Sequence, residues 1–348
     1  MSRSPLNSPG PHSVISMNAG EFHRDTKLWF TDGTVLLTAR QTTMSENGTT
    51  PEGDWRFRVH GSMLCAHSTV FQDMFAFPVP SDVELLDGLP FVHLSDEAHD
   101  VRAFLRLIYD PHFTPTEQYS PVYSIKMRGA LKLAAKYQAE ELKLRILKQL
   151  RLLWPNTLPE WDQRTQVVME RRKARGLPTY STSFDWVEDA FAPHVVIAML
   201  RDAQCEHDVP DVLSRAYYFL SSHPEHLSSL PPGYLTVNDY QTIVRGGYRL
   251  RKQMTNVLTL GDATGESCCK EQFKPCKKDC EREYRWYCDE FWQALAVATD
   301  FLEYLASSQR LTASLCPSCS YKLRKEMRED RQGVFDLIPG AFCTNDDG

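Results

Sequence analysis

The stretch WRFRVHGSMLCAHSTVFQDMF, from Trp55 to Phe75, changes its hydrophobic period partway along. In its first part, apolar residues alternate with arginines, and Trp55, Phe57 and Val59 share one side, as in a half-buried strand. Further on, the apolar residues follow helical spacing, and Ser68 stands where a helix can begin. The stretch therefore predicts a strand, a short helix, a polar break and a second helix.

Similar patterns lie on both sides of this stretch. DGTVLL at 32–37 predicts an earlier strand, and FVHL at 91–94 predicts a later strand that leads into a helix. After a Pro-rich connector, 131–142 predict a closing pair of helices. In this order the segments resemble the BTB/POZ domain, over about residues 25–153. Four sequence segments most resemble BTB proteins of mushroom-forming (basidiomycete) fungi. They are DGTVLL, RVHGSML, FQDMF and VHLSD.

The resemblance carries a set of signature positions onto this chain. They are Asp32, His60, Leu64, Ser68, Phe71, Phe75, Leu94, Asp96, Leu105, Tyr109, Ala134, Tyr137 and Leu142. It implies that Asp32 lies near the charged pocket of a dimer, whereas Asp96 is expected to cap the helix that follows it. The expected core of the module is Leu64, Phe71, Phe75, Leu105 and Tyr109.

Length and composition are those of a globular protein. The chain has 348 residues, of which 42% are apolar and 24% charged, enough for two or three domains. The net charge of -6 argues against nucleic-acid partners, and no apolar run approaches the roughly 20 residues of a membrane span. Without a signal-peptide pattern, the expected location is intracellular, cytoplasmic or nuclear, with reduced cysteines.

The predicted fold class is α+β: a BTB/POZ fold with a small sheet flanked by short helices, followed by a mostly α-helical C-terminal domain. Residues 1–22, rich in Ser, Pro and Gly, are expected to form a flexible tail. The BTB domain is predicted at 23–155, a linker at 156–183 with loop-like material from 161, and the helical domain at 184–348. Within that domain, helices are predicted at 185–191, 195–205, 209–221, 235–258, 271–306 and 320–331.

Cysteines cluster in the helical domain. Cys276 and Cys280 lie one helical turn apart, and Cys316 and Cys319 form a CxxC pair. Four thiolates are a ligand set for structural zinc, so these residues form a candidate metal site. Two other interpretations stay open: buried small hydrophobes and a redox dithiol. No other cofactor is indicated.

The run Arg171-Arg172-Lys173-Ala174-Arg175 has two interpretations, a localisation or nucleic-acid patch and a solvated helix end. For catalysis, the chain contains none of the GxSxG, HExxH, P-loop or GxGxxG motifs. A non-enzymatic protein is therefore expected.

The resemblance implies a protein–protein interaction and oligomerisation module that presents the helical domain to partners. A homodimer or hetero-oligomer through the BTB domain is expected, with protein rather than membrane or nucleic-acid partners. Three alternatives stay open: a substrate adaptor that docks a cullin-type ubiquitin-ligase scaffold, a transcription-associated regulator, and a metal-dependent enzyme built on the C-terminal cysteines.

Overall fold

The computed structural model describes residues 22–42, 52–77, 85–115, 122–176 and 192–257, the last range without 225, 226, 228, 229 and 231, together with 282, 300–302 and 317–342. The chain divides into two compact units. The first, which ends at Gly61 and resumes at Val79–His99, holds the sheet. The second, Ser62–Pro78 and Asp100 onward, holds most of the helical residues. A small sheet with short helices, followed by a mostly helical region, confirms the predicted fold class.

The sheet has five strands in the order β1-β3-β2-β5-β4. Their bounds are β1 Phe22–Trp29, β2 Val35–Gln41, β3 Gly53–Val59, β4 Leu85–Leu86 and β5 Leu89–Glu97. The central strand β2 runs antiparallel to β3 and parallel to β5, while β1 pairs in parallel with β3 and β4 antiparallel with β5. The sheet is therefore mixed.

Burial in β2 and β3 follows the hydrophobic pattern. Trp55, Phe57 and Val59 of β3 are all buried, which confirms the alternation predicted for this strand. In β2 the neighbouring residues Leu36 and Leu37 are 0% and 1% exposed. Successive strand residues point to opposite faces, so β2 is buried on both of its faces.

Strand β1 begins one residue inside the predicted tail. The ring of Phe22, its first residue, lies 3.5 Å from the guanidinium carbon of Arg56 on β3, and Arg24 approaches the same ring at 5.3 Å. Such cation–π contacts favour an ordered ring over a solvated one. At the other end of this part of the sheet, β2 continues to Gln41.

The predicted role of Asp96 as a helix cap is wrong. Asp96 lies inside β5, because the parallel ladder with β2 continues to the pair Arg40 and Glu97. Glu97 is the residue directly before the next helix, and its carboxylate accepts hydrogen bonds from the backbone nitrogen (2.9 Å) and hydroxyl of Thr42. The strand thus extends past the position where the sequence suggested a cap.

The helices up to residue 153 match the order predicted from the sequence. They are α1 Gly61–His67, α2 Thr69–Ala76, α3 Ala98–Tyr109, α4 Val122–Lys136 and α5 Glu140–Leu153. The break between α4 and α5 falls at Gln138, whose φ of 50° lies in the left-handed region. Helix α5 ends directly before Trp154-Pro155.

The loop-like character predicted from residue 161 is wrong for most of that stretch, because Leu158–Ala174 form helix α6. Thr157 and Glu160 make a reciprocal capping box at its start, where Pro159 is also favourable. Trp161 is 1% exposed, with its ring 5.7 Å from Tyr218 and 6.3 Å from Phe335. The basic run 171–175 lies at the end of α6, as one of its two interpretations expected, but Arg172 is buried rather than solvated.

The described C-terminal helices lie close to their predicted positions. They are α7 Pro193–Asp202, α8 Pro210–Ser221, α9 Val237–Val257 and α10 Pro317–Phe342. Helix α10 is longer than predicted at both ends. The predicted helix at 185–191 lies outside the described residues, as does the one at 271–306 apart from Arg282 and 300–302. Helix α7 packs on α4 and α8, and α8, α9 and α10 pack on one another.

Two clusters with buried charges join these helices. In the first, the buried Asp239 carboxylate accepts hydrogen bonds from the Tyr217 hydroxyl (2.8 Å) and from the nitrogen and hydroxyl of Thr236 (2.7 Å each), and it pairs with Arg201. We call these four residues the Asp239 cluster.

In the second cluster, the buried Arg331 guanidinium forms a bidentate pair with Asp162, with 2.6 Å between Nη1 and Oδ2, and donates from Nε to the carbonyl of Leu302 at 2.7 Å. The cluster ties α6 to α10 through a charged side chain whose donors are satisfied.

Candidate interaction surface

One hydroxyl fixes the start of α2. Ser68 is the N-cap, and its Oγ accepts the Phe71 backbone N–H at 3.1 Å. The same hydroxyl donates to the carbonyl oxygen of Tyr137, just beyond α4, at 2.6 Å. The expected helix start at Ser68 is confirmed, and the cap also sets the position of α2 relative to the end of α4.

Aromatic rings cover the inner side of α2. Phe71 is 1% exposed and stacks on Tyr137 with 4.8 Å between ring centroids, and Phe104 of α3 lies 5.9 Å from Tyr137. Together with Ser68 these residues form what we call the Tyr137 cluster. Phe75 extends the stack at 6.1 Å from Phe71 but is only half-buried. The inner side of α2 is therefore fixed by neutral side chains.

A second side of α2, next to Phe71, is also apolar. Val70, Met74 and Phe77 follow i, i+4, i+7 spacing, which places them on one side of the helix and its end. Val70 is half-buried, Met74 is 37% exposed and Phe77 is 73% exposed. We call these three residues the α2 stripe. A contiguous exposed apolar surface of this kind is typical of a protein–protein contact.

Helix α1 adds to this apolar exposure. Leu64 is its only buried residue, while Met63 is half-buried and Ala66 is exposed. The two short helices thus expose apolar side chains in the stretch that the sequence singled out.

In the sheet unit, Asp32 and His60 meet at the turn after β1. His60 Nε2 lies 3.3 Å from Asp32 Oδ1, and the His60 and Phe30 rings are 5.2 Å apart. Arg58 donates from Nε to the Gly33 carbonyl at 3.2 Å, and a Cβ on Gly33 would lie 2.8 Å from Arg58 Cγ. The turn therefore requires glycine here, and it holds Asp32 with its side chain 80% exposed.

Most of the other signature residues are structural. The buried ones are Leu64, Leu94, Asp96, Leu105, Ala134, Tyr137 and Leu142. Tyr109 is half-buried, so the expected core of five holds for Leu64, Phe71 and Leu105 but not fully for Phe75 and Tyr109. These two rings lie at the margin of the core.

The candidate zinc ligands fall largely outside the described residues. This applies to Cys276, Cys280 and Cys316, whereas Cys319 is buried in the first turns of α10. Among the residues that the structure does describe, no group of three or more His, Cys, Asp or Glu side chains is arranged to hold a metal ion. The four-cysteine site stays a prediction.

Sequence reasoning missed the second apolar side of α2. In the sequence, Val70 and Met74 belong to the same helical pattern as Phe71 and Phe75, although their burial differs. The signal was present, since a helix of eight residues with five apolar positions has more apolar surface than one side can bury.

Within the described ranges, no helix has the length and apolar character needed to cross a membrane.

Comparison with known proteins gives one match. No curated protein and no solved structure matches the chain. The matching family model covers β3 and continues into the last turn of α5, a narrower range than the one predicted from the sequence. Domains of the family that this model describes generally serve in protein–protein interaction and oligomerisation. Residues 52–151 of this chain match the model of the BTB/POZ domain.

Proposed function

We propose that this protein is a non-enzymatic oligomerisation and interaction protein, in which the BTB module pairs with a second copy of the chain and presents the C-terminal helices to partners. The match of residues 52–151 to the BTB/POZ domain carries this proposal. The finer resemblance to BTB proteins of mushroom-forming fungi stays a prediction.

The α2 stripe supports pairing of two copies. It consists of apolar side chains, and Asp73 is the only charged residue of α2, so two such surfaces can meet without like-charge repulsion. A two-fold interface requires a surface that is complementary to itself, which an apolar stripe satisfies. We expect Met74 and Phe77 to lie at the centre of this contact.

Contacts between α4 or α5 and the following helices support the second half of the proposal. Arg128 of α4 pairs with Asp202 of α7, with 2.8 Å between Nη2 and Oδ2. Arg151 of α5 forms a bidentate pair with Asp211 of α8, with nitrogen–oxygen distances of 3.0 to 3.2 Å. The helices after the module thus pack directly on its closing pair, which favours their presentation in a defined orientation.

Light scattering of the full chain over a range of concentrations tests the proposal. The expected mass is that of two chains. The substitutions Met74→Asp and Phe77→Asp should shift it to one chain, while Leu144→Asp, at a 60% exposed apolar position on α5, should leave it unchanged. A monomer at every concentration would contradict the proposal.

Affinity purification of the full chain from cell extract then separates the finer roles. Capture of a cullin-type scaffold, lost in the Phe77→Asp variant, would support the adaptor role. Enrichment on chromatin would support the transcription-associated role instead.

We also propose that the four cysteines hold a structural zinc. Elemental analysis of protein purified without chelator should give about one zinc per chain. Cys276→Ser and Cys316→Ser should each remove it, whereas Cys65→Ser, in α1, should not. Zinc-free protein would overturn the site.

A further inference from the structure

A pocket of about 540 Å³ is lined by residues of α6, α8 and α10 and of the segment just before α6. The charged residues in its lining are Arg215 of α8 and Asp336 of α10. The apolar part of the lining consists of Leu158, Pro159, Phe335 and Pro339. A concave surface that is largely apolar and has a few charged groups is the usual form of a binding site.

The guanidinium of Arg215 is buried without a carboxylate in contact. Arg215 is 6% exposed, and its Nε has no hydrogen-bond acceptor among the described residues. Its Nη1 donates to the Asp211 carbonyl at 2.9 Å and to Oδ1 of Asn156 at 3.3 Å, while Nη2 donates to the Asn156 carbonyl at 3.0 Å. All three acceptors are uncharged. A buried cation in this situation is costly, because the free energy of desolvation is not offset by an opposite charge.

The buried Arg331 shows the alternative arrangement. It is 4% exposed, close to the value for Arg215, but it forms a bidentate pair with the Asp162 carboxylate. Arg331 thus has its carboxylate partner within the chain. Arg215 lies in the lining of a pocket, where a ligand can supply that partner.

The carboxylates in the neighbourhood of Arg215 are engaged elsewhere. The Asp211 carboxylate pairs with Arg151, and the Glu160 carboxylate accepts the backbone N–H groups of Asn156 and Thr157 at the start of α6. Burial lowers the pKa of Arg215, and the charges of Asp211, Glu160 and Asp336 offset this effect only in part. These carboxylates therefore do not replace a partner in direct contact.

Helix α10 supplies acceptors to the same pocket. Asp336 is exposed, and its Oδ1 accepts the Gln332 side-chain amide at 2.8 Å, while Oδ2 accepts no hydrogen bond from the described residues. Pro339 lies inside α10 and has no N–H, so the carbonyl of Phe335, four residues earlier, does not receive the hydrogen bond usual in an α-helix. A cationic donor fits these oxygens.

We propose that this pocket binds the free C-terminus of a partner protein, with the terminal carboxylate at Arg215 and a basic side chain from the preceding residue at Asp336. An apolar terminal side chain packs on Phe335 and Pro339. The volume suits a few residues of a chain end. A ligand with one kind of charge fits less well, because an anion alone meets Asp336 and a cation alone meets Arg215. This inference rests on the proposed presentation of the C-terminal helices to partners.

Calorimetric titration of the full chain with the peptide acetyl-Ala-Lys-Leu tests the proposal. The peptide with a free carboxylate should bind, and the same peptide with an amidated C-terminus should bind at least about tenfold more weakly, since hydrogen bonds to a charged group contribute that factor. Equal binding of the two forms, or binding of neither, would overturn the proposal.

Variants of the two charged residues locate the peptide. Arg215→Lys keeps the charge but loses the planar fork of donors, and it should weaken binding about tenfold. Asp336→Asn, at an exposed position, should weaken binding about threefold. Tyr321→Asp, at a 66% exposed position of α10, is the matched control and should leave the affinity unchanged. If thermal unfolding shows that Arg215→Lys is not folded, an unchanged affinity in Asp336→Asn overturns the proposal by itself.

Two further measurements separate this inference from its alternatives. Acetate that displaces the peptide at equal concentration would overturn recognition of a chain end and leave a site for any carboxylate. Light scattering on the same samples reports pairing of the BTB module. A particle of two chains that binds no peptide would overturn this inference alone, whereas a particle of one chain that binds the peptide would contradict the pairing alone.

Discussion

The Tyr137 cluster and the Asp239 cluster each hold helices together, but they do so with different types of side chain. In the first, a hydroxyl and three aromatic rings fix α2 to the end of α4, and no member carries a charge at neutral pH. In the second, a buried carboxylate gathers an arginine, a tyrosine and a threonine around the start of α9. Neutral packing is weakened when a mutation removes buried contact area. A charged cluster is weakened when a mutation removes the opposite charge or the hydrogen bonds that stabilise a buried charge. The two regions should therefore respond differently to mutation and to pH.

The largest effect is expected in the neutral cluster. Phe71→Ala should lower the free energy of unfolding by about 3 to 5 kcal/mol, because it removes a fully buried ring that stacks on Tyr137. Phe77→Ala, at a 73% exposed position of the same helix, should change it by less than about 0.5 kcal/mol. Urea denaturation measures both, and equal values would mean that the inner and outer sides of α2 are assigned incorrectly.

Removing the charge from the second cluster should cost almost as much. Asp239→Ala removes the buried carboxylate that Arg201 and the Tyr217 hydroxyl share, although Arg201 keeps its bond to the Tyr234 carbonyl, and we expect a loss of about 3 kcal/mol in the same measurement. The exposed pair Arg151 and Asp211 is the control, since Asp211→Ala should cost about 1 kcal/mol or less. A small effect at Asp239 would remove the distinction between the two clusters.

Acid should affect the C-terminal helices first. Burial, and then the charge of Arg128, lower the pKa of His194 in α7 to about 4 from its ordinary 6.5. The folded state thus binds this proton less readily than the unfolded state. The stability that this residue contributes is complete above about pH 6.5 and declines by up to about 3 kcal/mol as the pH falls toward 4.

Thermal unfolding between pH 7 and pH 4 measures that decline. His194→Gln, which does not titrate, should flatten the curve, while Phe71→Ala should shift it downward at every pH without changing its slope. A wild-type slope that survives in His194→Gln would assign the acid sensitivity to another group.

The smallest effect concerns the cap. Ser68→Ala should lower stability by about 1 to 2 kcal/mol, since the N-cap contact to Phe71 and the bond to the Tyr137 carbonyl are both lost. Thr69→Ala, which loses only an exposed contact to Gln138, should have a smaller effect. If the two variants unfold at the same urea concentration, the hydroxyl of Ser68 does not anchor α2.

The order of β2, β3, β5 and the helices up to α5 followed from the sequence because the period changes at recognisable residues. The alternation of Trp55, Phe57 and Val59 predicts a strand, and Ser68 indicates the start of a helix. Helix α6 has an equally clear start signal in Thr157 and Glu160, with Pro159 between them, but the polar residues that follow favour a loop. The end of β5 could not be foreseen, since the ladder with Arg40 decides where that strand stops.

The candidate surfaces were harder to foresee for a physical reason. In α2 the more exposed Val70 and Met74 lie next to Phe71 and Phe75, and in α9 the exposed Val237 and Tyr240 lie next to the buried Ile243 and Leu250. The spacing of apolar residues shows that a helix has an apolar side. When a helix has two apolar sides, the spacing does not show which of them is buried. That choice depends on the neighbouring helices, which only the fold supplies.

The pair formed by Arg331 and Asp162 has a consequence for the protein during its synthesis. The two residues are 169 positions apart, so at 5 to 20 residues per second the ribosome needs roughly 10 to 30 seconds between them. For that time Asp162 lacks the guanidinium of Arg331, and neighbouring Trp161 lacks the ring of Phe335. The Ser68 contact to Tyr137 spans only 69 positions and can form far earlier. In the nascent chain α6 therefore waits longer for this partner than α2 does for Tyr137, which gives a chaperone more time to bind α6.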